Sequence, residues 1–123
     1  MQTVIIALSL VAGALHACFF VLESVLWDRR AVSRLFGARS SEEAHVLAPA
    51  MLNLGFYNLF LGLGAAGGAW RWAATGEATL LVYALAFMIA AALVLVARSR
   101  AMWRGALVQG LPPALALLAL AAA

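Results

Sequence analysis

The chain has no lysine, one cysteine and two histidines, and only 11% of its 123 residues are charged, against about a quarter in soluble domains. A lone cysteine, Cys18, excludes an internal disulfide and a cysteine metal site. His16 and His45 stand far apart with no paired-ligand spacing, so no metal and no cofactor is implied. Nucleophile-elbow and phosphate-loop patterns are also missing, which leaves no motif for acyl or phosphoryl transfer. The net charge of +3 comes from eight arginines. Seven of them fall in two short segments between hydrophobic runs, the pattern of membrane-protein loops rather than of a nucleic-acid footprint.

What is present is hydrophobic: 67% of the residues, with a mean hydropathy of +1.03. A soluble core of this size could not hide so much apolar surface, so the solvent is lipid. A bilayer core needs about 20 apolar residues per helix. Four stretches approach or exceed that length, at about residues 3–27, 47–70, 78–97 and 105–122. The expected fold is all-α, a single polytopic domain over 1–123 built as an antiparallel four-transmembrane-helix bundle. Arg29, Arg30, Arg34 and Arg39 lie in the loop 28–46, and Arg98, Arg100 and Arg104 in or beside 98–104. The bias of basic residues toward the cytoplasm makes both loops cytoplasmic and puts both termini on the other side. Leu15-His16-Ala17-Cys18 loosely resembles a lipoprotein cleavage box. No basic residue follows Met1, however, and apolar residues continue through Leu22, so the segment is expected to remain as a span.

The first stretch carries a polar stripe. Ser9, Gly13, His16, Phe20, Glu23 and Trp27 recur at steps of four and three and so share one helix face. Ionisable groups at membrane depth are costly and point to protein or to a water-filled cavity, which makes His16 and Glu23 the candidate catalytic pair. In the following loop, Ala31 to Phe36 fits a short interfacial turn ended by Gly37. Ser40 and Glu43 have capping-box spacing, which starts a helix near Ser41, and Pro49 marks a kink or the level of the membrane. His45 reads as a solvated helix-face histidine.

The second stretch holds Asn53-Leu54-Gly55-Phe56-Tyr57-Asn58, two amides and a phenol that are expected to face other helices rather than lipid. Gly64-x-x-x-Gly68 follows, a spacing that permits close backbone approach within the bundle or between copies. The last stretch opens with Gln109-Gly110-Leu111-Pro112-Pro113, where the prolines free carbonyls. With a rise of about 1.5 Å per residue, the first two helices match in depth where residue numbers add to about 75. That pairs Glu23 with Asn53, and His16 with Asn58 or Tyr57; Gln109 falls at the depth of Glu23. A pocket lined by His16, Glu23, Asn53, Tyr57, Asn58 and Gln109 is therefore expected, with the last four as ligand-binding residues.

His16, Glu23 and Leu26-Trp27, the string from Asn53 through Leu61, and Gln109-Gly110-Leu111-Pro112 together resemble the membrane-protein family catalogued as domain of unknown function 1304 (DUF1304). The resemblance spans nearly the whole chain. The pattern departs at Leu54, where many members have Gln. The family implies a bacterial inner-membrane protein of about four helices and supplies no agreed activity.

Three functions fit these residues. In the first, the pocket takes a small amphipathic or lipid-like molecule, and Glu23 and His16 exchange protons while the amides and Tyr57 orient its polar end. In the second, the chain is a carrier or a packing subunit, dimeric through the Gly62 to Gly68 face. In the third, the polar groups only hold the helices together. Whether the chain is an enzyme stays open among them. The bilayer is the one surrounding that all three require, and nucleic acid enters none.

Overall fold

The computed structural model describes all 123 residues and contains helices without strands. α1 (Gln2–Phe20) runs on into a single π-helical turn (Val21–Val25); α2 (Arg30–Leu35), α3 (Ser41–Thr75) and α4 (Thr79–Arg98) follow, then a 3-10 turn (Arg100–Met102) and α5 (Trp103–Ala121). Four segments are long and apolar enough to cross a membrane: Gln2–Val25, Ser41–Thr75, Thr79–Arg98 and Arg100–Ala121.

Local chemistry explains the helix ends. The Gly37 N–H donates to Arg34 O at 3.0 Å and the Ala38 N–H to Ser33 O at 3.0 Å. This paired closure needs a left-handed residue, and Gly37 supplies it at φ +94. α2 therefore stops at Leu35, as the Gly37 signal predicts. Ser40 Oγ accepts from the Glu43 N–H at 3.0 Å, and the Glu43 carboxylate accepts from the Arg39 N–H at 2.7 Å. With its first turn satisfied in this way, α3 begins at Ser41, as the capping-box spacing predicts, and runs for 35 residues to Thr75, past the expected end of the span at 70. Pro49 lies inside α3, and Pro112 and Pro113 inside α5, without ending either helix.

By packing, the chain divides into two compact units, Met1–Leu15 with Leu61–Ala123, and His16–Phe60. The core of the first gathers Ile5 and Ala12, Ala65 and Ala69, Leu81, Leu85 and Met88, and Ala116. Small residues set its helix spacing. A Cβ on Gly62 would meet Gly13 O at 2.6 Å, one on Gly68 would meet Leu81 Cα at 2.7 Å, and one on Gly110 would meet the Ala92 Cβ at 2.8 Å. Gly62 and Gly68 of the second span are thus used inside the protomer, where they lie against this chain's own backbone.

α3 stops at Thr75 before Gly76, whose φ is +76 and whose N–H donates to Trp72 O at 2.8 Å. Glu77 then joins two helices. One carboxylate oxygen accepts from Arg71 Nε at 2.6 Å, and the other accepts from the Thr79 N–H at 2.7 Å, at the start of α4. Hydrogen bonding from Thr79, and then from the Arg71 guanidinium, lowers the Glu77 carboxyl from its usual 4.5 to about 2. A depressed carboxyl stabilises the fold above its unfolded value, and that contribution is lost as the pH falls from about 4.5 toward 2. Both side chains are substantially exposed, so solvent keeps the effect small. A carboxyl carbon NMR titration should place the Glu77 midpoint near 2, and Arg71→Gln should move it upward. A midpoint at the usual carboxylate position in the intact chain would remove both contacts from the account.

The second unit, His16–Phe60, is built on Trp27. Its indole is buried against Ala38 and Ala44 and packs on Phe36, and Nε1 donates to Ala44 O at 2.8 Å. Phe20 meets Phe56 edge-on at 5.0 Å between ring centres, and Ser24 Oγ donates to Leu52 O at 2.9 Å. These pairs establish the antiparallel alignment of the two helical stretches in this unit.

Candidate functional site

The polar stripe of the first span is buried along its length. Ser9, Gly13, His16, Glu23 and Trp27 are all buried, and Phe20 is half-buried. Ser9 Oγ donates to Ile5 O at 2.7 Å, which satisfies it within its own helix. The His16 ring is 1% exposed and stands edge-on to Phe19 at 5.6 Å.

Glu23 sits in the π-helical turn. The Leu26 N–H reaches back five residues to Val21 O at 2.9 Å instead of four. The wider turn re-aims the side chains it carries, and such single turns occur often at functional sites. Three successive side-chain contacts from this segment hold it to α3: Glu23 to Asn58, Ser24 to Leu52 O, and Trp27 to Ala44 O. Gly55 makes room for them. A Cβ there would collide with Ser24 Oγ and come within 3.2 Å of the Glu23 Cβ. No feature of the sequence marked the π turn: the residues Val21 to Val25 include neither glycine nor proline.

The centre of the site is a hydrogen bond in which Asn58 Nδ2 donates to Glu23 Oε2 at 2.7 Å. Glu23 is 4% exposed and Asn58 half-buried. His16 precedes Glu23 by seven residues, about 10 Å along a helix axis. That is too far for direct contact and suits two groups flanking one bound molecule.

The structure corrects the expected partners. Glu23 meets Asn58 rather than Asn53. Asn53 instead donates through Nδ2 to the Tyr57 hydroxyl at 3.1 Å, one turn along the same helix, and both side chains are exposed, Tyr57 at 60%. The reason is rotational. Gly55, Asn58, Gly62, Ala65 and Ala69 form the inward seam of α3 at steps of three and four, and all but the half-buried Asn58 are buried. Asn53 and Tyr57 fall off that seam and satisfy one another. Gln109 lies half-buried on α5, in the other compact unit. Tyr57→Phe should change thermal stability in detergent by less than about 1 kcal/mol, as an exposed bond between close neighbours on one helix. A larger loss would mean that the hydroxyl holds more than Asn53.

The family model described as Protein of unknown function (DUF1304) matches residues 10–121, a range that takes in His16, Glu23, the Asn53 to Asn58 string and Gln109. The chain belongs to the DUF1304 family. No curated protein and no solved structure is detectably similar to it. For this DUF1304 member the family fixes kinship without an activity, so function has to be argued from the buried Glu23–Asn58 pair and its surroundings.

Proposed function

We propose that this membrane protein binds a small amphipathic or lipid-like molecule at Glu23, Asn58 and His16, with Glu23 and His16 as the groups that move a proton. The observation that carries this reading is a carboxylate 4% exposed, held by one amide at 2.7 Å in a π-helical turn of an apolar span. Burying an ionisable side chain costs more than packing requires, and an apolar residue would pack the same position without that cost. Asn58 engages Glu23 Oε2, and Oε1 is the atom a ligand hydroxyl or amine would meet. Asn58 fixes the orientation of the carboxylate, and the imidazole two turns away would serve the far side of the same ligand. The reaction class that fits is proton transfer or isomerisation on an amphipathic substrate. In this reading residues 28–46 and 98–104 face the cytoplasm from a bacterial inner membrane with both termini opposite, a topology that the arginine bias of those segments supports.

Native mass spectrometry of the protein extracted in mild detergent tests the reading. The wild type should retain a small-molecule adduct that Glu23→Gln loses while keeping its melting temperature. Equal adducts in both proteins, or none in the wild type, would refute the site.

A second reading, a packing subunit, is favoured by Asn53 and Tyr57, whose exposed polar groups on a spanning helix would be covered by a partner. It predicts a detergent-stable dimer that Asn53→Leu with Tyr57→Phe dissociates. A monomer in every detergent would dismiss it.

A further inference from the structure

A groove of about 440 Å³ runs between α4 and α5. Its walls are Ile89, Ala92 and Val96 on one side and Trp103, Leu107 and Ala114 on the other, nearly all apolar atoms. The close contact of Gly110 with Ala92 holds the two helices together along it. Trp103 and Val96 mark one end, and the chain reverses there through the Arg100–Met102 turn.

That end is strongly and singly charged. Arg98 closes α4, Arg100 opens the turn, and Arg104 follows Trp103; all three are exposed. The Arg104 guanidinium lies 5.3 Å from the Trp103 ring centre, so a cation rests on a side chain that forms the groove wall. No acidic residue occurs after Glu77. The one ion pair in the protein joins Glu77 to Arg71, and none reaches these arginines. An apolar channel that ends in three cations without a counter-charge is complementary to a molecule with an acyl chain and an anionic head.

We infer that this groove binds one acyl chain of an anionic phospholipid, with the phosphate seated among Arg98, Arg100 and Arg104. Trp103 stands at the level where the chain meets the headgroup, the usual position of an interfacial indole. Arginine suits the head because its planar fork matches phosphate oxygens in pairs. The site lies in the unit Met1–Leu15 with Leu61–Ala123, and it is independent of the Glu23 reading.

Native mass spectrometry on the purified full chain, titrated with phosphatidylglycerol, phosphatidylcholine or inorganic phosphate, tests it. Phosphatidylglycerol should bind more tightly than phosphatidylcholine by roughly fivefold per arginine, on the order of a hundredfold for three. Arg98→Gln with Arg100→Gln and Arg104→Gln should abolish that preference. Ala114→Phe, which fills the groove and leaves every charge in place, should weaken phosphatidylglycerol at least tenfold, and inorganic phosphate should not displace it. Equal binding of the two lipids by the wild type, or a preference that survives the arginine changes, overturns the proposal. So does undiminished binding by Ala114→Phe, which would reduce the effect to surface charge. Full displacement by inorganic phosphate would show a headgroup site without an acyl chain, which also contradicts it.

Discussion

Gly62→Leu should prevent the protein from reaching its folded state in detergent or membrane. A Cβ at this position would lie 2.6 Å from Gly13 O, and one on Gly13 would lie 2.9 Å from Gly62 O. Backbone faces backbone, so no flexible side chain can swing aside, and the helices must separate. Ordinary overpacking costs about 1–3 kcal/mol, and a whole leucine driven into main chain should exceed that range. In lipid there is no hydrophobic force to compensate, because association rests on close packing. Gly68→Leu should behave alike, since its Cβ would meet Leu81 Cα and N, both at 2.7 Å. Gly67 is the internal control. Nothing stands within 4 Å of a Cβ there, so Gly67→Ala should be neutral or stabilise by up to about 1 kcal/mol through helix propensity. Melting temperatures of the four proteins decide the matter; a wild-type value for Gly62→Leu would mean that the two backbones do not touch.

The second large effect concerns the buried pair. Asn58→Leu should cost about 2–3 kcal/mol, because it leaves the Glu23 carboxylate buried without its donor. Glu23→Gln should cost less than about 1 kcal/mol, since an amide of nearly the same shape can still accept from Asn58. Removing both partners is the informative case. Replacing each member of a hydrogen-bonded pair by an apolar group of similar shape is often nearly neutral, so Glu23→Leu with Asn58→Leu should recover most of the stability lost by Asn58→Leu alone. Thermal unfolding of Glu23→Leu, Asn58→Leu, the double variant and the wild type completes the cycle. Strict additivity of the two single losses would mean that the side chains do not interact.

The two results bear on different parts of what the residues disclose. The burial of the stripe from Ser9 to Trp27 was legible, because period and cost both point the same way: polar groups at helical spacing in an apolar run have to turn inward. The ends of α2 and α3 were legible for a similar reason, since Gly37, Ser40 and Glu43 act within a few residues of themselves. Depth was legible in part: Phe20 meets Phe56 and Ser24 meets Leu52, close to the expected matching, whereas Glu23 meets Asn58, five residues beyond the expected Asn53 along α3. Azimuth was not. The amide that meets Glu23 is chosen by the rotation of α3, and the clue was the small-residue seam of Gly55, Gly62, Ala65 and Ala69, which Asn58 shares and Asn53 does not. Gly62 and Gly68 face backbone of this same chain, and spacing alone does not say whose backbone fills such a gap. The π turn left no mark, because it arises from how Glu23, Ser24 and Trp27 are tethered to α3 and not from any residue that breaks a helix.

In the proposed function Glu23 and Asn58 are kept for chemistry and not for packing. The direct test is to express Glu23→Leu with Asn58→Leu, matched to the wild type in membrane level and melting temperature, in a strain that lacks the protein. The account predicts a stable, correctly inserted protein that restores nothing of the missing phenotype. Full restoration by that apolar pair would show the carboxylate and its amide to be packing alone.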